Sequence, residues 1–205
     1  FNKREQNSFL KLGFVPSGLS YISGALKQAG YTTEGFCNGI NDSPEKLFDR
    51  LEKKPDVFAV SVTSGCVLPK TIELIEKIKN KFQNSKIIVG GMYFMLFQES
   101  KNLIFNKNID AICIGEGEQA IVEYIRQVES GRYIKTDNLW IKPYNGTILK
   151  CDKTVIVEDI NSVPIDRRIW DNWFANDKKY SICLQRGCPN KCVYCVNPVF
   201  STRYP

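Results

Sequence analysis

The chain has 205 residues, 43% of them hydrophobic and 24% charged, so there is apolar material enough for a sizeable core and too much for disorder. The longest apolar stretch, residues 87–97, contains two glycines and is far short of the roughly 18 residues a membrane span needs. The net charge of +6 is scattered rather than striped, which gives no support to nucleic-acid binding.

The first residues, Phe1-Asn2-Lys3-Arg4, lack the apolar run of a signal peptide. In chain order, residues 16–29 carry Leu19, Ile22, Leu26 and Ala29 at helical spacing and stop at Gly30. Residues 31–37 read as a strand. Ser43-Pro44-Glu45 reads as an N-cap with proline at the first helical position, opening a helix through Leu47 and Leu51. Residues 57–62 are nearly all apolar, as expected of a strand buried on both faces.

A helix follows from about Lys70, with Ile72, Ile75, Ile78 and Phe82 facing inward. Its Lys77, Lys79 and Lys81 alternate with Glu73 and Glu76, which reads as a solvated face. Residues 86–89 and 111–114 read as strands, and residues 118–128 as a helix with Ile121, Val122, Ile125 and Val128 apolar. Successive strand ends lie 29 and 25 residues apart, at Ser61, Gly90 and Gly115. Strand–helix units of that length predict parallel strands with right-handed crossovers, hence a doubly wound parallel α/β sheet. After Gly131 the pattern changes to a β-hairpin over 139–149 with Asn145-Gly146 at its turn. A linker over 155–164, an aromatic region and a short strand over 180–185 complete the reading.

Eight cysteines and no histidine restrict the chemistry further. No imidazole base, His-containing triad or His–metal site can be built from this chain. Cys37, Cys66, Cys113, Cys151 and Cys183 are dispersed and read as buried thiols of a reducing, cytoplasmic environment. Cys188, Cys192 and Cys195 crowd into Gly187-Cys188-Pro189-Asn190-Lys191-Cys192-Val193-Tyr194-Cys195, a C-x3-C-x2-C spacing on a loop leaving a strand. Thiolate-only ligation selects zinc or an iron–sulfur cluster. A structural zinc site needs a fourth ligand, and the nearest candidate, Cys183, sits inside the expected strand.

Three further features converge on one sheet edge. Ser61, Thr63, Ser64 and Gly65 end one strand, Gly90-Gly91 the next, and Gly115-Glu116-Gly117 the third. Glycines admit close backbone approach and hydroxyls bind polar groups, so a shared ligand pocket is expected at this edge; the alternative for each is a tight turn. Glu116 and Glu118 suit a first helical turn. They would also oppose a bare phosphate, which favours a large, weakly charged ligand.

The cysteine loop resembles the signature of radical S-adenosylmethionine enzymes: C-x3-C-x-aromatic-C, preceded by Arg186-Gly187 and sharpened by Tyr194. The upstream residues resemble the cobalamin-binding domains of such enzymes in Pro16-Ser17-Gly18-Leu19, in 56–61, in Val89-Gly90-Gly91, in 114–118 and in the connector 161–164. The resemblance implies a cobalamin-binding-type domain over 1–132 lacking its first strand, a hairpin and linker over 133–178, and the start of a radical S-adenosylmethionine barrel over 179–205. It implies a 4Fe–4S cluster on Cys188, Cys192 and Cys195, S-adenosylmethionine on the open iron with Tyr194 near its adenine, and reductive cleavage to a 5′-deoxyadenosyl radical. It implies cobalamin against Ser61, Thr63, Ser64, Gly65, Gly90, Gly91, Gly115, Glu116 and Gly117, with residues 92–97 either core or a lip against the corrin.

The chemistry so implied is methyl transfer to an unactivated carbon of a small-molecule or biosynthetic-intermediate substrate, with an electron donor such as flavodoxin or ferredoxin. Rearrangement or ring formation on a domain that binds no corrin is one alternative, and a non-catalytic zinc-knuckle module is another. Met92-Tyr93 replaces the expected Pro-His after the glycine pair, and the missing histidine removes a protein imidazole from below cobalt. No catalytic residue is identifiable. A barrel active site draws on many strand ends, so this stretch is expected to be inactive by itself.

Overall fold

The computed structural model describes residues 16–36, 48–49, 51, 53–144, 146–171 and 186–198. They fall into two units: described residues up to 49 together with 159–171 and Arg186 form one, and those of 51–158 with 187–198 the other.

The larger unit is a five-stranded mixed sheet flanked by helices. Strands β1 (Val57–Ser61), β2 (Lys86–Gly90) and β3 (Ala111–Cys113) run parallel, and β4 (Leu139–Ile141) and β5 (Leu149–Lys150) continue the sheet antiparallel. The expected hairpin is therefore part of the sheet, with Ala111 opposite Ile141 and Gly146 at positive φ in its turn. Among the described residues the strands stand in sequence order, and the α/β reading with parallel strands holds for the core β1–β2–β3 of a sheet that is mixed as a whole.

Helix α2 (Leu68–Lys81) crosses from β1 to β2, with Pro69 in its first turn, where a missing N–H forfeits no bond. Its Ile75 and Ile78 are buried, as are Ile87, Ile88 and Val89 of β2. Helix α4 (Glu118–Ser130) follows β3, buries Ile121 and Tyr124, and ends at Gly131 in the left-handed region. Between them, α3 (Met92–Leu96) and a 3-10 stretch, Gln98–Phe105, carry the chain from β2 to β3.

Two expectations change here. β1 is half open: Phe58 is buried, but Ala59 and Ser61, on the other face of the strand, are exposed. Lys79 leaves the solvated face of α2. It is mostly buried and bonds the Asp110 carboxylate at 2.8 Å, whereas Lys77 pairs with Glu73 as helical spacing predicts.

In the smaller unit, α1 (Ser17–Gln28) ends where expected, with Gly30 at positive φ donating to Lys27 O. Residues 31–36 form no strand. Thr33 Oγ1 lies 2.6 Å from Ser23 Oγ of α1. The connector residues pack on α1: Asp166 N donates to Ser20 O, and Asp166 Oδ2 accepts from Ser23 Oγ and Lys27 Nζ. The helix expected near Ser43-Pro44-Glu45, the strand over 180–185, Cys37 and Cys183 lie outside the described residues. No helix of the described residues is long and apolar enough to cross a membrane.

Candidate functional site

The carboxyl edge of the parallel strands gathers two of the three expected segments into one shelf. Beyond β1, Val62 N donates to Gly90 O at 2.8 Å, and Val62 O accepts from Tyr93 N at 3.1 Å. These bonds seat the 61–65 turn on the Gly90-Gly91 turn. Gly91 has φ +102, and a Cβ there would stand 2.7 Å from Val62 O and 2.9 Å from Ser61 Oγ. No side chain fits, so glycine is required. A Cβ on Gly90 would press within 3.1 Å of Cys113 Cβ, which holds β2 close to β3.

On this shelf Ser61, Thr63 and Gly65 are exposed and Ser64 is half-buried. A Cβ on Gly65 would meet only Tyr93 Cε2, at 3.5 Å, so the backbone is approachable from outside. The flank is apolar. Of residues 92–97 only Phe94 enters the core, while Met92 and Phe97 are 41% and 47% exposed, with the Tyr93 ring packed on Phe97. The stretch thus divides between core and lip.

The third segment is committed to the chain itself. Gly115 is buried, and a Cβ there would meet Asn138 Oδ1 at 2.7 Å. Asn138 Nδ2 donates to Glu116 O at 2.8 Å and to Val155 O at 2.7 Å, and Asn138 Oδ1 accepts from Val155 N. The Glu116 carboxylate accepts from Val157 N. Residues 155–157 therefore strap the end of β3, and Gly115 and Glu116 have structural work, while Gly117 opens α4 half-buried. Sequence reading missed Asn138, the buried hub of this strap. Its only signal is the Asp137-Asn138 pair before β4, since asparagine tolerates the positive φ of 63° found there.

Two thiols of this region differ. Cys113 is buried and donates to Gly115 O at 3.5 Å; burial, with Glu118 nearby, pushes its thiol up to about 11. Cys66 is exposed in the 3-10 turn Gly65–Val67, which corrects its reading as a buried thiol, and Cys151 is half-buried.

The cysteine loop begins at Gly187, at positive φ. Cys192 is exposed and Cys188 and Cys195 are half-buried. Cys195 N donates to Cys192 O at 3.0 Å, folding the last two thiols into one turn, and Asn197 N donates to Cys195 Sγ at 3.5 Å. Tyr194 is 90% exposed. Among the described residues no three acidic or sulfur side chains stand together as a ligand set, so the loop carries the donors without their being gathered. The donor chemistry suits an iron–sulfur group: three soft sulfur donors on one loop, one of them accepting from a backbone N–H. The shelf, with exposed hydroxyls, approachable backbone and an apolar flank, suits a broad and weakly charged ligand.

Comparison with known proteins bears on the shelf. The family model "B12 binding domain" matches residues 10–125, more than half of the chain. An anaerobic magnesium-protoporphyrin IX monomethyl ester cyclase of Cereibacter sphaeroides is 27% identical over 194 residues, covering 88% of this chain and 31% of its own length. An uncharacterized methyltransferase of Pyrococcus horikoshii, PH0819, is 22% identical, covering 88% of this chain and 40% of its own. The chain thus spans about a third of the length of the curated relatives it matches. In fold it resembles the cobalamin-dependent S-adenosylmethionine radical enzyme OxsB with aqua-cobalamin bound (TM-score 0.61, 16% identity, 77% of this chain and 22% of that one). It also resembles the radical S-adenosylmethionine methyltransferase TsrM of Kitasatospora setae with cobalamin and a [4Fe-4S] cluster bound (TM-score 0.58, 18% identity, 74% and 28%).

Proposed function

The chain belongs to the B12-binding domain family, and on that premise we propose that it is the cobalamin-binding part of a radical S-adenosylmethionine enzyme that transfers a methyl group to an unactivated carbon. The observation that carries the reading is the pairing of the shelf at Ser61–Gly91 with the C-x3-C-x2-C loop in one chain. When bound, cobalamin supplies the methyl carrier, and the cluster supplies the electron that cleaves S-adenosylmethionine.

This chain's own residues bind and orient. Ser61 and Thr63 offer hydroxyls, and Gly65, Gly90 and Gly91 offer close backbone, to the amide-bearing rim of the corrin. Met92 and Phe97 cover its apolar edge and keep water away. Cys188, Cys192 and Cys195 would hold the cluster, with the Asn197 N–H bonding the Cys195 sulfur, and Tyr194 would face the adenine of S-adenosylmethionine. With no histidine in the chain, it offers cobalt no imidazole ligand. A small-molecule substrate, a flavodoxin- or ferredoxin-type electron donor and a cytoplasmic setting complete the proposal.

A second outcome has an observation of its own. The strap from Asn138 to Val157 occupies the third strand end, which favours a domain that holds no corrin and serves other radical chemistry, ring formation among them. Anaerobic reconstitution of the protein with iron, sulfide and hydroxocobalamin, followed by metal analysis and a visible spectrum, separates the readings. About four irons with one cobalt per chain supports methyl transfer. Irons without cobalt overturn it in favour of the second outcome, and stoichiometric zinc with neither would leave a zinc knuckle.

A further inference from the structure

The carboxyl edge of the sheet carries a pocket that the shelf does not use. Strand β4 is antiparallel to both β3 and β5, so β5 runs with the parallel core and the residues after it leave the same edge. Three segments meet there around about 170 Å³: Phe94, Met95, Gln98 and Lys101 from beyond β2, Ile114 from beyond β3, and Asp152 and Thr154 from beyond β5. Ile114 is joined directly to Gly115, and Phe94 follows closely on Gly91, so the pocket lies on the β3 side of the shelf.

Its wall is divided by chemistry. Phe94 and Ile114 are buried and give an apolar inner side. Lys101 Nζ stands 3.9 Å from Asp152 Oδ1, which sets the two charges side by side without a hydrogen bond between them. The Lys101 side chain is only 21% exposed, and its ammonium lies 5.3 Å from the centre of the Trp140 ring, which anchors it on the β4 face. Asp152, by contrast, is 76% exposed.

Each head by itself would select an ion: the ammonium a carboxylate, the carboxylate a cation. Together they disfavour both, because either ion meets a like charge in the same pocket. What they accept is a neutral group that presents an acceptor and a donor side by side. A primary carboxamide is such a group, its oxygen accepting from Lys101 and its N–H donating to Asp152. The volume is below the about 300–1,000 Å³ of pockets that enclose a whole small molecule, so one substituent of a larger ligand fits here.

We propose that this pocket binds a primary carboxamide, supplied by one amide side chain of the corrin rim, and that Lys101 and Asp152 thereby orient the ring on the shelf. The corrin as its source rests on the cobalamin reading; the carboxamide preference stands on the pocket itself.

The test titrates the full chain with hydroxocobalamin and with its monocarboxylates, each carrying a carboxylate in place of one rim amide. At least one monocarboxylate should bind about tenfold more weakly than hydroxocobalamin, because Asp152 opposes the new charge, and Asp152→Ala should close that gap. Lys101→Met should weaken hydroxocobalamin about tenfold. Since Asp152 is exposed, its replacement leaves the packing in place, and the outcome does not hang on Lys101→Met folding well. Backbone amide NMR with propionamide, propionate and alanine forms the second arm, in which propionamide alone should shift Gln98, Lys101, Ile114 and Thr154 saturably. Propionamide binding without hydroxocobalamin binding would sink the cobalamin reading and keep the carboxamide site. Hydroxocobalamin bound no more tightly than every monocarboxylate, a gap that persists in Asp152→Ala, or a preference for propionate or alanine would overturn the site and leave the cobalamin reading standing.

Discussion

The indole N–H of Trp170 donates to Ser20 Oγ at 2.8 Å, a bond between side chains 150 positions apart in a fully buried setting. With Asp166 it fixes the connector onto the first helix. Gly24 shows how close this docking is: a Cβ there would stand 1.7 Å from Pro164 O.

That contact predicts opposite effects of one substitution at two positions of α1. Alanine is the better helix former by about 1 kcal/mol, yet Gly24→Ala must displace backbone and should lower stability by about 1–3 kcal/mol. Gly18→Ala meets nothing within 4 Å and should be neutral or slightly stabilising. Urea midpoints at constant slope decide it. A Gly24→Ala protein as stable as the parent would mean the connector is not docked here.

Asp166 adds an acid dependence to the same contact. Burial pushes its carboxyl up, but the bonds from Lys27 and Ser23 outweigh this and hold it below its usual value of 3.8. A depressed carboxyl stabilises the fold above its unfolded pKa and loses that contribution as pH falls through the folded one. Stability should therefore decline from about pH 4 downward, and Asp166→Asn should flatten that decline while destabilising the protein at pH 7. Thermal melts of both proteins between pH 7 and pH 2.5 would show it.

What the sequence made legible follows from the range of the forces involved. The helical spacing of Ile75 and Ile78, and of Ile121 and Ile125, is a local pattern, and α2 and α4 appear where it predicts. The hairpin turn is equally local. Residues 31–36, rich in residues that favour strands, form none; Thr33 instead lies against Ser23 of α1. Lys79 read as solvated because Asp110, its partner, lies 31 residues away. Glu116 read as a dipole charge because Val157, which it binds, lies 41 away. At the site, the shelf glycines announced themselves through their strand-end positions, whereas the strap on Gly115 depends on a single asparagine with no motif around it.

The two thiols at the shelf should differ in reactivity. Cys113 is buried and held at about 11, and the thiolate is the nucleophile, so it should resist alkylation at pH 8 in the folded protein. Cys66 is exposed in its turn and should be modified readily. Peptide mapping after a short iodoacetamide pulse gives the ratio, expected to exceed tenfold. Bound cobalamin should then slow the labelling of Cys66 and leave Cys113 unchanged. Labelling of Cys66 that is indifferent to saturating cobalamin would move the corrin off this turn.

Gly91 and Gly131 offer the decisive pair for the shelf, since both have positive φ and only one stands at the strand ends. Alanine at Gly131 meets nothing within 4 Å, and its strain of about 1–2 kcal/mol should lower stability without touching hydroxocobalamin affinity. Alanine at Gly91 would collide with Val62 O and Ser61 Oγ, parting the two turns that form the shelf. Hydroxocobalamin affinity should fall at least tenfold, about 1.4 kcal/mol, in Gly91→Ala. Because that variant also strains the fold, Thr63→Val serves as its companion: the exposed hydroxyl contributes nothing to packing, so any weakening it brings is a direct loss of contact with the ligand. Spectral titration of the three variants is the measurement. Affinity equal to the parent in both Gly91→Ala and Thr63→Val would place cobalamin elsewhere or nowhere on this chain.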